Sequence, residues 1–410
     1  MVRFAFPVLL AAAAPSAGTA AQGCPSSISV DEAVDLALKE STMLRAKRQE
    51  YRATQANEIT AGLRPNPVAS YVAEQLGNRN VDPQHTVTLG QPIELGGKRQ
   101  RRLDSARAAS QVTAAELDDL RRQVVAQVKN ALTDLLVADA ILNLTAASLR
   151  SLDEVERLQR IRAEKGDISE LELTRLQLQR FAFERDLVDA RQATVAARIA
   201  LGLAMGGDTV PPDVVIVGEL TRPDGLPDAE DLRRRALDAR PDLKAAEAAR
   251  IRARADRELA RANAWWDVTP QLEYQRIGSD NTFGIGVSVP IRVFDRNQGE
   301  VARTRAEIER AEANREATLQ RVLAEVDTAL NQVTSARDKL KLLNEVYLPK
   351  AQRARDTVEF AYRRGGVSLL DFLDAERAYR DTTLEHVRAL GGYQTALDEL
   401  EAAVGYGKGR

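Results

Sequence analysis

The sequence predicts a mainly α-helical chain with a small β part, built as a tandem duplication of one long unit. The first sign is a repeat that stays in register. Pro92 in VTLGQPIELGG has its counterpart at Pro290 in IGVSVPIRVFD, 198 residues on. Val124, Val128, Ala131, Leu135, Ala138 and Leu142 reappear at the same offset as Val322, Val326, Ala329, Val333, Ala336 and Leu340. Gly166 and Ser169 match Gly365 and Ser368 at 199, as Leu38 and Leu44 match Leu237 and Leu243. The second sign is composition. Aromatic residues make up only 4% and charged residues 29%, which suits long helices with narrow apolar seams rather than a bulky core. The third is a change of period in each half, from helical spacing to strict alternation and back.

Taken from the N-terminus, Arg3 and the apolar run Phe4 to Ala14 precede the small residues of PSAGTAAQG. This is the pattern of an export signal over residues 1–21, with cleavage after about Ala20 or Ala21. No later stretch approaches the roughly 18 uncharged apolar residues of a membrane-spanning helix. Cys24 is the only cysteine, so no intramolecular disulfide and no cysteine-based metal site can form. Its place after Gly23 offers a lipid-anchor position, although Ala21 stands where a lipoprotein signal normally carries Leu. The other reading is a plain residue near the mature N-terminus.

The first repeat spans 29–205. Its opening helix is expected from Val30 to Gly62, with Ser29 and Glu32 forming a capping box and Pro65 and Pro67 ending it. A β-hairpin follows over 68–92, where VASYVAEQ and HTVTLGQP alternate, and long coils fill 98–204. From Lys98 to Lys165 there is no proline, so one helix of roughly 100 Å is predicted at 1.5 Å per residue. A Pro/Gly-rich linker over 206–227 has room for one short strand near Val214 to Val217. The second repeat, 228–405, has the same order: a helix from Ala229 to Asn263, a hairpin over 268–291 and coils over 298–404. Its long segment carries Pro349, where a kink or break is expected.

The second hairpin alternates most cleanly. Val268, Pro270, Leu272 and Tyr274 share one face, and so do Phe283, Ile285, Val287 and Val289. Thr282, Gly284, Gly286 and Ser288 face the other way, as the lumen side of a membrane barrel would require. Four strands cannot close a barrel, and an open sheet edge is not tolerated in lipid. Three copies supply twelve strands, so a homotrimer sharing one barrel is the simplest arrangement.

Two strings carry a family resemblance: GQPIELGGKRQRR after the first hairpin and YRRGGVSLLDFLDAERAY at the second helical turn. With the duplication, the chain resembles the TolC-type outer-membrane efflux proteins, most closely their CzcC-type heavy-metal branch. The resemblance implies a twelve-stranded barrel in the outer membrane of a Gram-negative bacterium and a long α-helical barrel in the periplasm. An equatorial region would hold the linker. It also implies three partners besides outer-membrane lipid: a second and third copy, a periplasmic adaptor, and an inner-membrane resistance-nodulation-division transporter. In that frame Asp371 and Asp374 match positions ringing the periplasmic aperture, where six carboxylates per trimer would attract cations. Asp167, Glu170 and Glu172 offer a second acidic ring, though acids after a turn also favour a helix N-terminus. Gly166, Ser169, Gly365, Gly366 and Ser368 fall at the helical tips that meet the adaptor. Tyr362, Arg363 and Arg364 lie where the family ties its coils together in the closed state.

Other classes fit poorly. The net charge is −2, and Arg-rich runs such as RRLDSARAA alternate with acids, so nucleic acid is not an expected partner. His85 and His386 are the only histidines, with no nucleophile elbow, phosphate loop or His–Glu metal motif. Neither an enzyme nor a cofactor is expected. A soluble periplasmic scaffold would not need hairpins with lipid-suited faces. The cargo is either divalent heavy-metal cations or organic solutes, and the few soft ligands leave that choice to the transporter.

Overall fold

The computed structural model describes residues 27–77, 80–207, 210–211, 214–218 and 228–405. The export signal, Cys24 and most of the linker lie outside the described residues. The element order is β1 (Ser27–Ser29), α1 (Val30–Glu40), α2 (Thr42–Gly62), β2 (Val68–Glu74), β3 (Gln84–Gly90), α3 (Lys98–Glu164) and α4 (Glu170–Ala204). After β4 (Val215–Val217) the plan repeats: α5 (Ala229–Ala239), α6 (Pro241–Ala262), β5 (Thr269–Ile277), β6 (Asp280–Ser288), α7 (Gln298–Leu342), α8 (Leu348–Arg363) and α9 (Leu369–Val404).

The opening helix of each half is two helices, not the single one expected. Ser41 leaves helical geometry at φ −51°, ψ 119°, and its hydroxyl accepts the Leu44 amide at 3.4 Å to start α2. In the second half Arg240 takes φ −57°, ψ 120° because the proline at 241 bars the α conformation before it. The break turns the short α1 inward, so that Ala33 and Ala37 are buried beside Leu44 and the α3 seam.

The heptad positions of the two long helices are the core. Val124, Val128 and Leu135 are buried with α1 and with Leu201 of α4. Their counterparts Val322, Val326 and Val333 are buried with Tyr393, Ala396 and Leu400 of α9. An 18-residue window of α3 reaches a mean hydropathy of 1.4, more than the sequence suggested. Of that window 33% is buried, and Leu132 and Leu135 pack within the seam. Pro349 breaks nothing outright: a single π-helical turn, Leu343–Tyr347, precedes it. The wider turn makes room where the proline ring would meet the carbonyl of Glu345.

All four long strands join one antiparallel sheet in the order β2-β3-β5-β6. The hairpins of the two halves meet where Leu89 pairs with Leu272. Cross-strand register then collects Tyr71, Val87, Tyr274 and Phe283 in one row, and Ala69, Leu89, Leu272 and Ile285 in the next. The opposite face carries rows such as Ser70, Thr88, Glu273 and Gly284. Phe283 is 82% and Ile285 87% exposed, so this apolar face has no covering layer among the described residues. Among the described residues, β2 and β6 each keep one unpaired edge. At the middle of the helical body β1 pairs in parallel with β4, tying the start of the first repeat to the linker.

Candidate functional site

The two helical turns farthest from the sheet bring most of the predicted site residues together. Each is built by a glycine in left-handed geometry, Gly166 at φ 79° and Gly365 at φ 72°. There the last helical carbonyls still find donors. The Asp167 amide bonds to Arg162 O at 2.9 Å, and the Gly366 amide bonds to Ala361 O at 2.9 Å. Ser169 and Ser368 then cap the returning helices. Ser169 accepts the Glu172 amide at 3.2 Å and Ser368 accepts the Asp371 amide at 3.2 Å.

The acids divide by what they touch. Asp371 completes a capping box: its carboxylate accepts the Ser368 amide at 3.1 Å and the Ser368 hydroxyl at 2.7 Å. Those two bonds hold it below the usual carboxylate range. Asp374, one turn on, is exposed and makes no hydrogen bond or ion pair among the described residues. Asp167, Glu170 and Glu172 are exposed at the first tip, with Glu170 and Glu172 in the first turn of α4.

The two tips meet through an apolar cluster of Leu152, Leu176, Phe183, Phe372 and Leu373. Tyr362 stacks on Phe372 with ring centroids 5.0 Å apart. Its buried hydroxyl has no hydrogen-bond partner in normal geometry among the described residues. Burial raises its pKa, with Arg162 opposing and Glu172 adding to the rise. Of the three residues expected to tether the coils, Tyr362 packs against the apolar cluster that includes Leu152 and Leu176 of the first half. Arg363 pairs with Glu359 on its own helix, and Arg364 lies 4.1 Å over the Phe360 ring.

Two further links between coils were not singled out from the sequence. Arg380 of α9, 8% exposed, lies 4.3 Å over Phe183 of α4 and 3.3 Å from Asp186. Arg180 of α4 binds Glu156 at 2.6 Å and Asp153 at 2.7 Å on α3, and the bond from Arg180 lowers the Glu156 pKa. The only sequence signal was that both arginines fall on seam-facing positions, which a count of charges does not reveal.

The chain thus carries an exposed apolar sheet at one end of its long antiparallel coils and acid-bearing turns at the other. The chain belongs to the outer membrane efflux protein family, whose model matches residues 33–207 and again 232–406. It is therefore an outer-membrane efflux channel with a periplasmic helical extension. Among its relatives, the cobalt-zinc-cadmium resistance protein CzcC of Cupriavidus metallidurans is 27% identical over 386 residues, 92% of this chain and 90% of that one. The pyoverdine export outer membrane protein OpmQ of Pseudomonas putida is 24% identical over 417 residues, 92% and 84% of the two chains. In fold it is similar to the open-state Neisseria gonorrhoeae MtrE outer membrane channel, with a TM-score of 0.78 at 20% identity, covering 93% and 90%. CusC gives 0.77 at 20% identity and 92% of each chain.

Proposed function

We propose that this chain is the exit duct of a tripartite pump that moves divalent heavy-metal cations out of the cell. The observation that carries the cargo class is the near full-length similarity to a cobalt-zinc-cadmium resistance protein. The duct works as a homotrimer, because the unpaired edges of β2 and β6 need partners in lipid. The repeat supplies their register. Tyr71 pairs with Val87 and Leu272 with Ile285, and Val87 and Ile285 are 198 residues apart. Carried forward, the internal Leu89–Leu272 joint becomes Val287 paired with Tyr71 of the next protomer. Both side chains then fall on the apolar face.

An inner-membrane transporter supplies the energy, and a periplasmic adaptor meets the tips at Gly166, Ser169, Gly365, Gly366 and Ser368. The aperture is lined by Asp374, with Asp371 beside it and Asp167, Glu170 and Glu172 as an outer acidic ring. Three copies of each place like charges around one opening, which favours cations over anions. Deleting the gene and measuring tolerance to zinc, cobalt and cadmium tests the cargo. Lost metal tolerance, restored by the intact gene, is the expected result. Unchanged metal tolerance would overturn it. The similarity to a pyoverdine export protein favours a second reading, an organic-solute duct, under which only tolerance to organic compounds falls.

A further inference from the structure

The junction between the sheet and the second-half helices carries a groove that the duct reading does not use. It has a volume of about 560 Å³ and is lined by Ala264, Trp265, Trp266, Ile291, Arg292 and Arg296. Trp265 and Trp266 are the only tryptophans in the chain, and they are 58% and 51% exposed. Trp265 lies against Gly96, where a Cβ would stand 2.7 Å from the indole ring. Ile291 and Val293, also exposed, prolong the apolar row of Val287 and Ile285 past the end of β6. The groove is therefore continuous with the face that meets lipid.

Its charge is unbalanced. Arg292 donates to the Asn263 carbonyl, and neither Arg292 nor Arg296 pairs with a carboxylate among the described residues. The neighbouring acids are already engaged. Asp267 accepts from Lys98 at 2.7 Å and from the Leu95 amide at 3.2 Å, while Asp295 accepts the Asn297 amide at 2.9 Å. Two guanidinium groups beside two indoles, at the end of a lipid-facing surface, match the chemistry of a membrane interface. The first half is different here. Glu94 occupies the position that Arg292 takes in the second half, and it binds Arg102 at 2.6 Å.

We propose that this groove is a binding site for an anionic glycerophospholipid of the inner leaflet. The headgroup phosphate sits between Arg292 and Arg296, the indoles lie at the glycerol level, and the acyl chains run along Ile291, Val287 and Ile285. One such site falls on each protomer. The proposal rests on the sheet's apolar face meeting lipid, and its test separates the two claims.

The protein is reconstituted in phosphatidylcholine nanodiscs that contain a minor fraction of acyl-brominated phosphatidylglycerol, or the same fraction of brominated phosphatidylcholine. Bromine quenches tryptophan, and every tryptophan in the chain lies in this groove. Stronger quenching by phosphatidylglycerol is expected, with an enrichment of roughly fivefold for each arginine that falls as salt is raised. Arg292→Gln with Arg296→Gln should equalise the two lipids while channel conductance in planar bilayers persists. Equal quenching of the wild-type protein by both lipids overturns the site. So does the absence of quenching by either, which would mean that a neighbouring protomer covers the tryptophans. Loss of bilayer insertion itself would instead strike the lipid-facing sheet.

Discussion

The Ser368 hydroxyl accepts the Asp371 amide at 3.2 Å, and the Asp371 carboxylate accepts the Ser368 amide at 3.1 Å. That reciprocal cap commits Asp371 to holding the start of α9, whereas Asp374 has no such duty. Substitution at the two positions should therefore have different consequences. Asp374→Ala is expected to raise single-channel conductance and lower cation preference without loosening the fold. Asp371→Ala should also fray the α9 tip, visible as faster amide exchange around residues 368–372. Unchanged selectivity in Asp374→Ala would remove it from the aperture.

Tyr362 offers a test of coupling between the coils. Phenylalanine at this position keeps the stacking on Phe372 and removes only the hydroxyl that faces Arg162 and Glu172. If that hydroxyl helps hold the tips closed, Tyr362→Phe will raise conductance with no change in thermal stability. A wild-type conductance trace would confine Tyr362 to packing.

The inter-protomer register can be checked by cross-linking. With Val287 opposite Tyr71, Gly286 falls opposite Val72 of the next protomer, within disulfide reach for paired strands. In a Cys24→Ser background, Gly286→Cys with Val72→Cys should form covalent trimers under oxidation. Gly286→Cys with Ser70→Cys, slipped by two residues, should not. The reverse pattern would mean that the halves join differently between chains than within one.

Gly391 lies where α9 packs against Val137 of α3. A Cβ at this position would stand well inside van der Waals contact with Val137. Gly391→Ala should destabilise the helical body by about 1 to 3 kcal/mol through overpacking. Val137→Ala in the same chain should restore much of the loss. Thermal melts of the single and double variants decide the matter, and additive losses would disprove the contact.

Asp398 is 8% exposed on α9, and burial lifts its pKa from 3.8 to about 6, against the opposing influence of Lys129 and Gln394. The sign follows from the charged form being the one penalised. Above about pH 6 the folded protein carries a buried carboxylate, and the penalty shrinks as pH falls towards 3.8. Asp398→Asn should thus stabilise the protein at pH 7.5, on the order of 2 kcal/mol, about half as much at pH 5 and little near pH 4. Equal effects at all three pH values would exclude titration of this group as the cause.

Much of the fold was legible because its signals are periodic. Heptad spacing at Val124, Val128 and Leu135 announced the α3 seam, and alternation from Phe283 to Val289 announced β6 and its apolar face. Ser29, Gly166 and Gly365 marked where helices begin or turn. The break at Ser41 was missed, since serine is tolerated inside helices and only its contact with the Leu44 amide shows the cap. Pro241 could have revealed the matching break at Arg240. The two tips were legible as helical turns, but the contacts within them were not.

The sequence alone determined the duplicated plan, the helix and strand periods and the lipid-suited face, because these depend on spacing along the chain. Only the tertiary structure decided which acid caps and which stays free, how Tyr362 and Arg380 reach the first-half coil, and where both tryptophans meet arginines that no described carboxylate pairs with. Those relations join residues on different elements. Their distances depend on how long helices cross and strands register, which local spacing does not encode.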